Sequence, residues 1–179
     1  MTTRYNRPAI ALHWLMAVGL LATFALGLYM HDLPLSPSKL QLYSWHKWAG
    51  ISLLMLALLR LFWRIICPAP PLPSSISGWS KFAAHAGHIL LYGFMFAVPM
   101  SGWLMSSAQG FQVVWFGTVP LPDLVSRNSE LAAVLKQVHM YLNYGFLIVI
   151  SGHALVALLH HFVKKDTVLT RMLPFLAKA

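Results

Sequence analysis

Nine of the 179 residues are histidine, and eight of the nine fall inside long apolar runs. An ionisable side chain in such a run is rare and costly, so each is a candidate for function. His13 lies in the first run, His46 in the second, and His85 and His88 in the third. His139, His153, His160 and His161 lie in the fourth; His31 alone reads as an ordinary loop residue. His139 and His153 are fourteen residues apart. On a helix that spacing falls about 40° short of four turns and rises about 21 Å, so both rings leave nearly one face at different depths. Two stacked sites in a helix bundle follow, each needing a partner from another helix. His46 is the only other histidine inside a run near the end occupied by His139, which pairs those two almost by elimination. His13, His85 and His88 all remain open as partners of His153. A site with two imidazoles suits zinc poorly, because zinc takes three or four protein ligands, commonly thiolate or carboxylate. No carboxylate lies deep in these runs, and the one cysteine, Cys67, sits in a loop. Two neutral imidazoles do suit haem iron, whose macrocycle supplies the other four ligands. Gly19, Gly27, Gly50, Gly87, Gly93, Gly145 and Gly152 would let a flat ring or a neighbouring helix approach closely.

The elements that carry these histidines are membrane helices. Hydrophobic residues make up 58% of the chain and charged residues 9%, against roughly 25% charged in soluble proteins. Four acids face thirteen Lys plus Arg, for a formal charge of +9. A soluble fold cannot build its charged shell from so little, and a nucleic-acid binder would not set its basic residues among apolar runs. A single cysteine excludes a disulfide framework, and the absence of CxxCH excludes covalent c-type haem. The first apolar run is too long for a signal-peptide core and reads as a retained helix. A span needs about 20 mostly apolar residues, and four fit, at about 8–30, 40–66, 79–106 and 130–163, in a single domain over 1–179. Pro99 predicts a kink in the third. SAQGFQVVWFGTVPLP is too irregular for a further span and reads as an interfacial loop, with Trp115 and Phe116 at headgroup level. The fold class is therefore all-α, an integral membrane four-helix bundle. Nine basic residues (Arg4, Arg7, Arg60, Arg64, Lys81, Lys164, Lys165, Arg171, Lys178) fall on the side of the termini with one acid, Asp166. Lys39, Lys47, Arg127 and Lys136 fall on the other with Asp32, Asp123 and Glu130. The positive-inside rule then puts both termini in the cytoplasm.

With these residues in place, the chain resembles the bacterial cytochrome b561 family of small, four-helix, dihaem inner-membrane cytochromes. The stretches that carry the resemblance are RYNRPAIALHWLMA, WHKWAGISLLMLALLRLFWR, HAGHILLYGFMFAVPMSGWLM and VHMYLNYGFLIVISGHALVALLHHFVKKDTVLTRMLP. It is also similar to the cytochrome b subunits of respiratory hydrogenases and formate dehydrogenases, which share the fourteen-residue histidine pair. The resemblance implies two haems b, with His13 and His153 as axial ligands of the inner one and His46 and His139 of the outer. All four positions are histidine here.

The resemblance further implies exchange of electrons with the quinone pool, in its best-understood branch as a superoxide:ubiquinone oxidoreductase. Superoxide would give electrons on the periplasmic side and ubiquinone would take them within the membrane. His88 and His160 are then candidate quinone or propionate contacts, with Arg7 and Arg64 (and Arg60) as further partners for propionates at the inner haem. His85 stands three residues before His88 on the same helix face. Lys47 is the corresponding candidate at the outer haem. The four basic residues of that side would attract an anion only weakly, because three acids offset them. Two other readings fit the composition: a haem-bearing membrane subunit of a larger dehydrogenase or hydrogenase, and a histidine-lined metal transporter.

Overall fold

The computed structural model describes residues 4–73 and 76–176. Lys178, one of the basic residues counted above, lies outside them. Four long helices dominate: α1 (Arg7–His31), α2 (Pro37–Ile66), α3 (Gly78–Gln109) and α4 (Ser129–Phe162). All four are long and apolar enough to cross a membrane, so the expected all-α membrane bundle is what the chain forms. Each begins at a side-chain cap. Asn6, Ser36, Ser77 and Asn128 accept from the backbone N–H three residues on, in Ala9, Lys39, Ser80 and Leu131. These caps satisfy amide groups that a helix start leaves without intrahelical partners. Helix α2 stops at Cys67, just before Pro68. Helix α3 runs through Pro99 and ends on Gly110, whose φ of 77° suits a residue without Cβ.

The helices pack in chain order, α1 on α2, α2 on α3 and α3 on α4. Among the described residues, α4 has no comparable packing against α1 or α2, so a slot runs between them. Its floor is a small core of Met16, Ala57, Met95 and Phe146. Phe146 stacks on Phe94, with ring centroids 5.5 Å apart and planes 11° apart. Gly145 makes room for this pair, since a Cβ there would lie 3.2 Å from Phe94 Cζ. In lipid, where apolar burial drives helix association little, such close packing is the main attraction between helices.

Between α3 and α4 the expected irregular loop contains a short antiparallel hairpin, β1 (Val114–Trp115) paired with β2 (Val119–Pro120). Phe116 and Gly117 form its turn, with φ of 50° and 72°. The hairpin is held to α2 by two indoles: Trp48 Nε1 donates to Val114 O at 2.6 Å and Trp115 Nε1 to Ser52 Oγ at 3.1 Å. Trp115 is thus turned onto α2, whereas Phe116 is exposed. Two-residue strands carry no legible alternation, so the sequence pattern could not have shown them.

At the opposite end, the segment after α4 folds back under the bundle through two 3-10 turns, η1 (Leu169–Arg171) and η2 (Pro174–Leu176). Trp14 Nε1 donates to Met172 O at 2.9 Å, and Arg171 Nη1 to Pro71 O at 2.6 Å. Asp166 is the clasp. Its carboxylate pairs with His160 Nδ1 and also accepts from Val168 N at 3.0 Å. Asp166→Ala is expected to release this segment, read as faster protease cleavage within residues 164–176 while the helices stay protected. Unchanged cleavage would show that Trp14 and Arg171 hold it without the clasp.

Candidate functional site

Two histidine pairs line the slot at its two ends. At the end carrying the hairpin, His46 of α2 faces His139 of α4, with ring centroids 6.3 Å apart and planes 84° apart. At the end carrying the termini, His13 of α1 faces His153 of α4 at 6.2 Å and 64°. The alternatives left open for His153 separate here. His88 of α3 lies 5.6 Å from the His153 ring, on the same site. His85 is exposed, and its Nδ1 is bonded to Lys81 O at 2.7 Å. Phe146 sits seven residues from each α4 histidine, hence on nearly the same face, and separates the two sites.

The hairpin-end site is shaped closely around its rings. A Cβ on Gly27 would lie 3.1 Å from His46 Cε1, and one on Gly102 would lie 3.1 Å from His139 Cε1. Both contacts are tighter than side chains normally make, so each imidazole rests directly on helix backbone. His139 Nδ1 donates to Ser101 Oγ at 2.9 Å and to Val98 O at 3.1 Å. The Ser101 hydroxyl itself donates to Val98 O at 2.7 Å. Ser101 is only 5% exposed. A carbonyl can only accept, so the proton of His139 is on Nδ1 and Nε2 is left with a lone pair. Among the described residues His46 Nδ1 is buried without a hydrogen-bond partner, a cost of about 1–3 kcal/mol for a polar atom. A small cleft of about 60 Å³ opens beside the pair, lined by Leu20, Thr23, Phe24, Gly50, Met95, Pro99, Asn143 and Phe146 among others.

The terminal-end site is organised differently. Arg60 Nη2 approaches His13 Nδ1 at 3.3 Å, and its Nη1 donates to Ala9 O at 3.2 Å. Arg64, one turn further along α2, is half-buried, and Arg7 is exposed at the start of α1. His160 is 7% exposed; its Nδ1 is held by Asp166, and Lys164 Nζ lies 3.5 Å from its Nε2. His161 packs on Phe162. His31 is at the surface, paired with Asp32 at 2.7 Å. Lys47 turns away from the His46 pair, toward Phe111 O at 3.4 Å.

The sequence of this chain matches prokaryotic cytochrome b561 over residues 4–175. The chain belongs to the prokaryotic cytochrome b561 family. It is 37% identical to cytochrome b561 homolog 2 of Escherichia coli (strain K12) over 172 residues, covering 95% of this chain and 91% of that protein. Similarity to cytochrome b561 homolog 1 of the same organism is 31% over 173 residues, 96% and 97% of the two chains. A Yersinia pestis protein named probable superoxide oxidase CybB is 30% identical over 174 residues, 97% and 98% of the two chains. This cytochrome is therefore a multi-pass bacterial membrane protein of electron transfer, in a family that binds haem b.

The histidine pairs of this cytochrome fit that group. Metal–imidazole bonds of about 2.0–2.1 Å on both sides of one iron put the ring centroids about 6.3 Å apart, and the observed separations are 6.3 and 6.2 Å. Among the described residues no cluster of three or more His, Cys, Asp or Glu is arranged to hold a metal ion. A two-imidazole site needs a metal that brings its own equatorial donors, as haem iron does. Ser101, Gly102 and Asn143, whose Nδ2 donates to His139 O at 2.7 Å, were not singled out by spacing. The one available signal for Ser101 is a hydroxyl deep inside an apolar run, next to the glycine on which His139 rests.

Proposed function

We propose that this cytochrome binds two haems b and carries electrons across the bacterial inner membrane from superoxide to ubiquinone, with both termini cytoplasmic. His46 and His139 would hold the periplasmic-side haem, and His13 and His153 the cytoplasmic-side one. The observation that carries this reading is the pair of facing-imidazole separations, 6.3 and 6.2 Å, at two depths of one slot. Haem b, when bound, supplies reversible one-electron transfer at each site. The chain's own part is to fix both imidazoles of each pair, to keep water out with the Met16–Ala57–Met95–Phe146 core, and to space the sites along α4. Two superoxide anions would each lose one electron to become dioxygen. One ubiquinone would take both electrons and two protons to become ubiquinol.

His88 is the best-situated group to hand a proton to a quinone carbonyl, because it is half-buried beside His153 at the cytoplasmic-side site. Arg64 and Arg7 flank that end and would neutralise propionates. His160 serves the same end indirectly, through the clasp with Asp166 that folds the tail beneath the site. The relative named probable superoxide oxidase supports the choice of donor. The test is to add superoxide to purified, haem-loaded protein with and without ubiquinone. Reduction of the haems by superoxide and ubiquinol formation at one per two superoxide consumed is the expected result. Haems that superoxide leaves oxidised would point to a subunit of a larger dehydrogenase, and co-purification with an iron–sulfur partner would support that alternative.

A further inference from the structure

The two histidine sites differ in the charge placed behind their ligands. At the cytoplasmic-side site, the guanidinium of Arg60 lies 3.3 Å from His13 Nδ1 and is tied to Ala9 O at 3.2 Å. A guanidinium is always charged and can only donate, and a neutral His13 that gave Nε2 to iron would carry its proton on Nδ1, so Arg60 would act on the ring through its charge and not through a hydrogen bond. Arg60 is half-buried in an apolar helix bundle, where a charge acts over a longer range than in water. At the periplasmic-side site, no residue lining the cleft is charged. Behind His139 stand a neutral carbonyl and a hydroxyl, both accepting from Nδ1. Acceptors at that position make an imidazole a more basic, more electron-rich ligand. Lys47, although next to His46 in sequence, is directed to Phe111 O and over the Phe111 ring, 5.9 Å from its centroid.

Taking the two-haem reading above as given, we infer that Arg60 is a positioning and tuning residue that makes the His13–His153 site the higher-potential of the two, and so sets the direction of electron flow. Gaining an electron lowers the positive charge of a site by one. A fixed cation beside His13 stabilises that reduced form. The electron-rich His139, whose cleft is lined by no charged residue, stabilises the oxidised form. One electron leaving the periplasmic-side site, oxidising it, therefore arrives at the cytoplasmic-side site, reducing it, in the downhill direction. Arg60 contributes through its charge against the ligand ring, a role separate from any contact with propionates.

The test is a redox titration of purified protein followed optically, with haem content measured on each sample. The unaltered protein gives two midpoints. His46→Ala, keeping the His13–His153 site, is expected to show one midpoint that coincides with the higher of the two; coincidence with the lower one overturns the inference. Arg60→Gln is expected to lower the higher midpoint and leave the lower one in place, whereas Arg60→Lys, which keeps the charge, preserves the original order. Ser101→Ala is expected to raise the lower midpoint alone. With two haems bound per chain, an Arg60→Gln shift confined to the lower midpoint, or absent, sinks the tuning role. Should Arg60→Gln lose a haem, Arg60→Met takes its place, with the same expected fall of the higher midpoint and the same overturning outcome. An unaltered protein without two haems contradicts the underlying two-haem reading instead.

Discussion

His139→Ala is expected to leave a protein with one haem b per chain, where two are proposed for the unaltered protein. The loss should fall on the His46–His139 site alone, because the pairs share no residue and Phe146 separates them on α4. His139 holds its ring with two acceptors on Nδ1, so its lone pair at Nε2 is directed by the fold. Alanine removes the donor and the ring that fills the space in front of Gly102 together. His46→Ala should give the same one-haem product, and His13→Ala and His153→Ala should each spare that site and empty the other. The measurement is a pyridine haemochrome assay per chain, with optical spectra of what remains. Two low-spin haems in any of the four variants would contradict the pairing. A colourless, zinc- or nickel-loaded unaltered protein would favour the transporter reading.

The second large effect is expected from a position that carries no chemistry. Gly102→Leu should weaken haem binding at the same site while every histidine stays in place. Even a single Cβ at Gly102 meets His139 Cε1 at 3.1 Å, Nδ1 at 3.4 Å and Nε2 at 3.7 Å. A leucine must either push the imidazole off its line toward His46 or spread α3 from α4. Overpacking of this kind costs about 1–3 kcal/mol, roughly 5- to 150-fold in affinity. The assay is haem titration into the variant, with Gly78→Leu as the control, because nothing lies within 4 Å of a Cβ at Gly78 and that residue does not line the cleft. Equal losses in both would mean that a bulky residue on α3 in general, and not displacement of His139, is responsible.

Much of this molecule was legible in the sequence because membrane helices are coded by composition over long windows. Four long apolar runs with few charges leave no alternative to four spans, since backbone groups in lipid must be paired within the segment. The fourteen-residue interval on α4 is a property of one helix, and so is readable before any packing is known. The outer pair followed from the same argument, since only His46 shares the depth of His139. The partner of His153 was different. His13, His85 and His88 lie at similar depth, and spacing along separate helices says nothing about which faces meet. In the bundle His85 is turned outward, while His13 and His88 both approach His153, from α1 and α3.

Other details depended on contacts between residues far apart in the chain. Arg60 read as one of several basic residues that set topology or meet propionates. Only the crossing of α2 over α1 brings it to the ring of His13. Ser101 is an unremarked hydroxyl until α4 delivers His139 to it, 38 residues away. Asp166, the single acid of the terminal side, counted only as a charge until the tail folded back and made it the partner of His160. The hairpin over α2 likewise rests on two indole donors, Trp48 and Trp115, that reach across 66 and 63 residues.

Composition and periodicity thus determined by themselves that the chain crosses a membrane four times and that two histidine levels lie along its last helix. Both are consequences of a single helix in a single solvent, repeated four times. The tertiary structure alone decided what stands behind each histidine: backbone at Gly27 and Gly102, an acceptor pair at His139, a cation at His13. Those are relations between helices, fixed by which faces small residues allow to approach, and no one-dimensional pattern contains them.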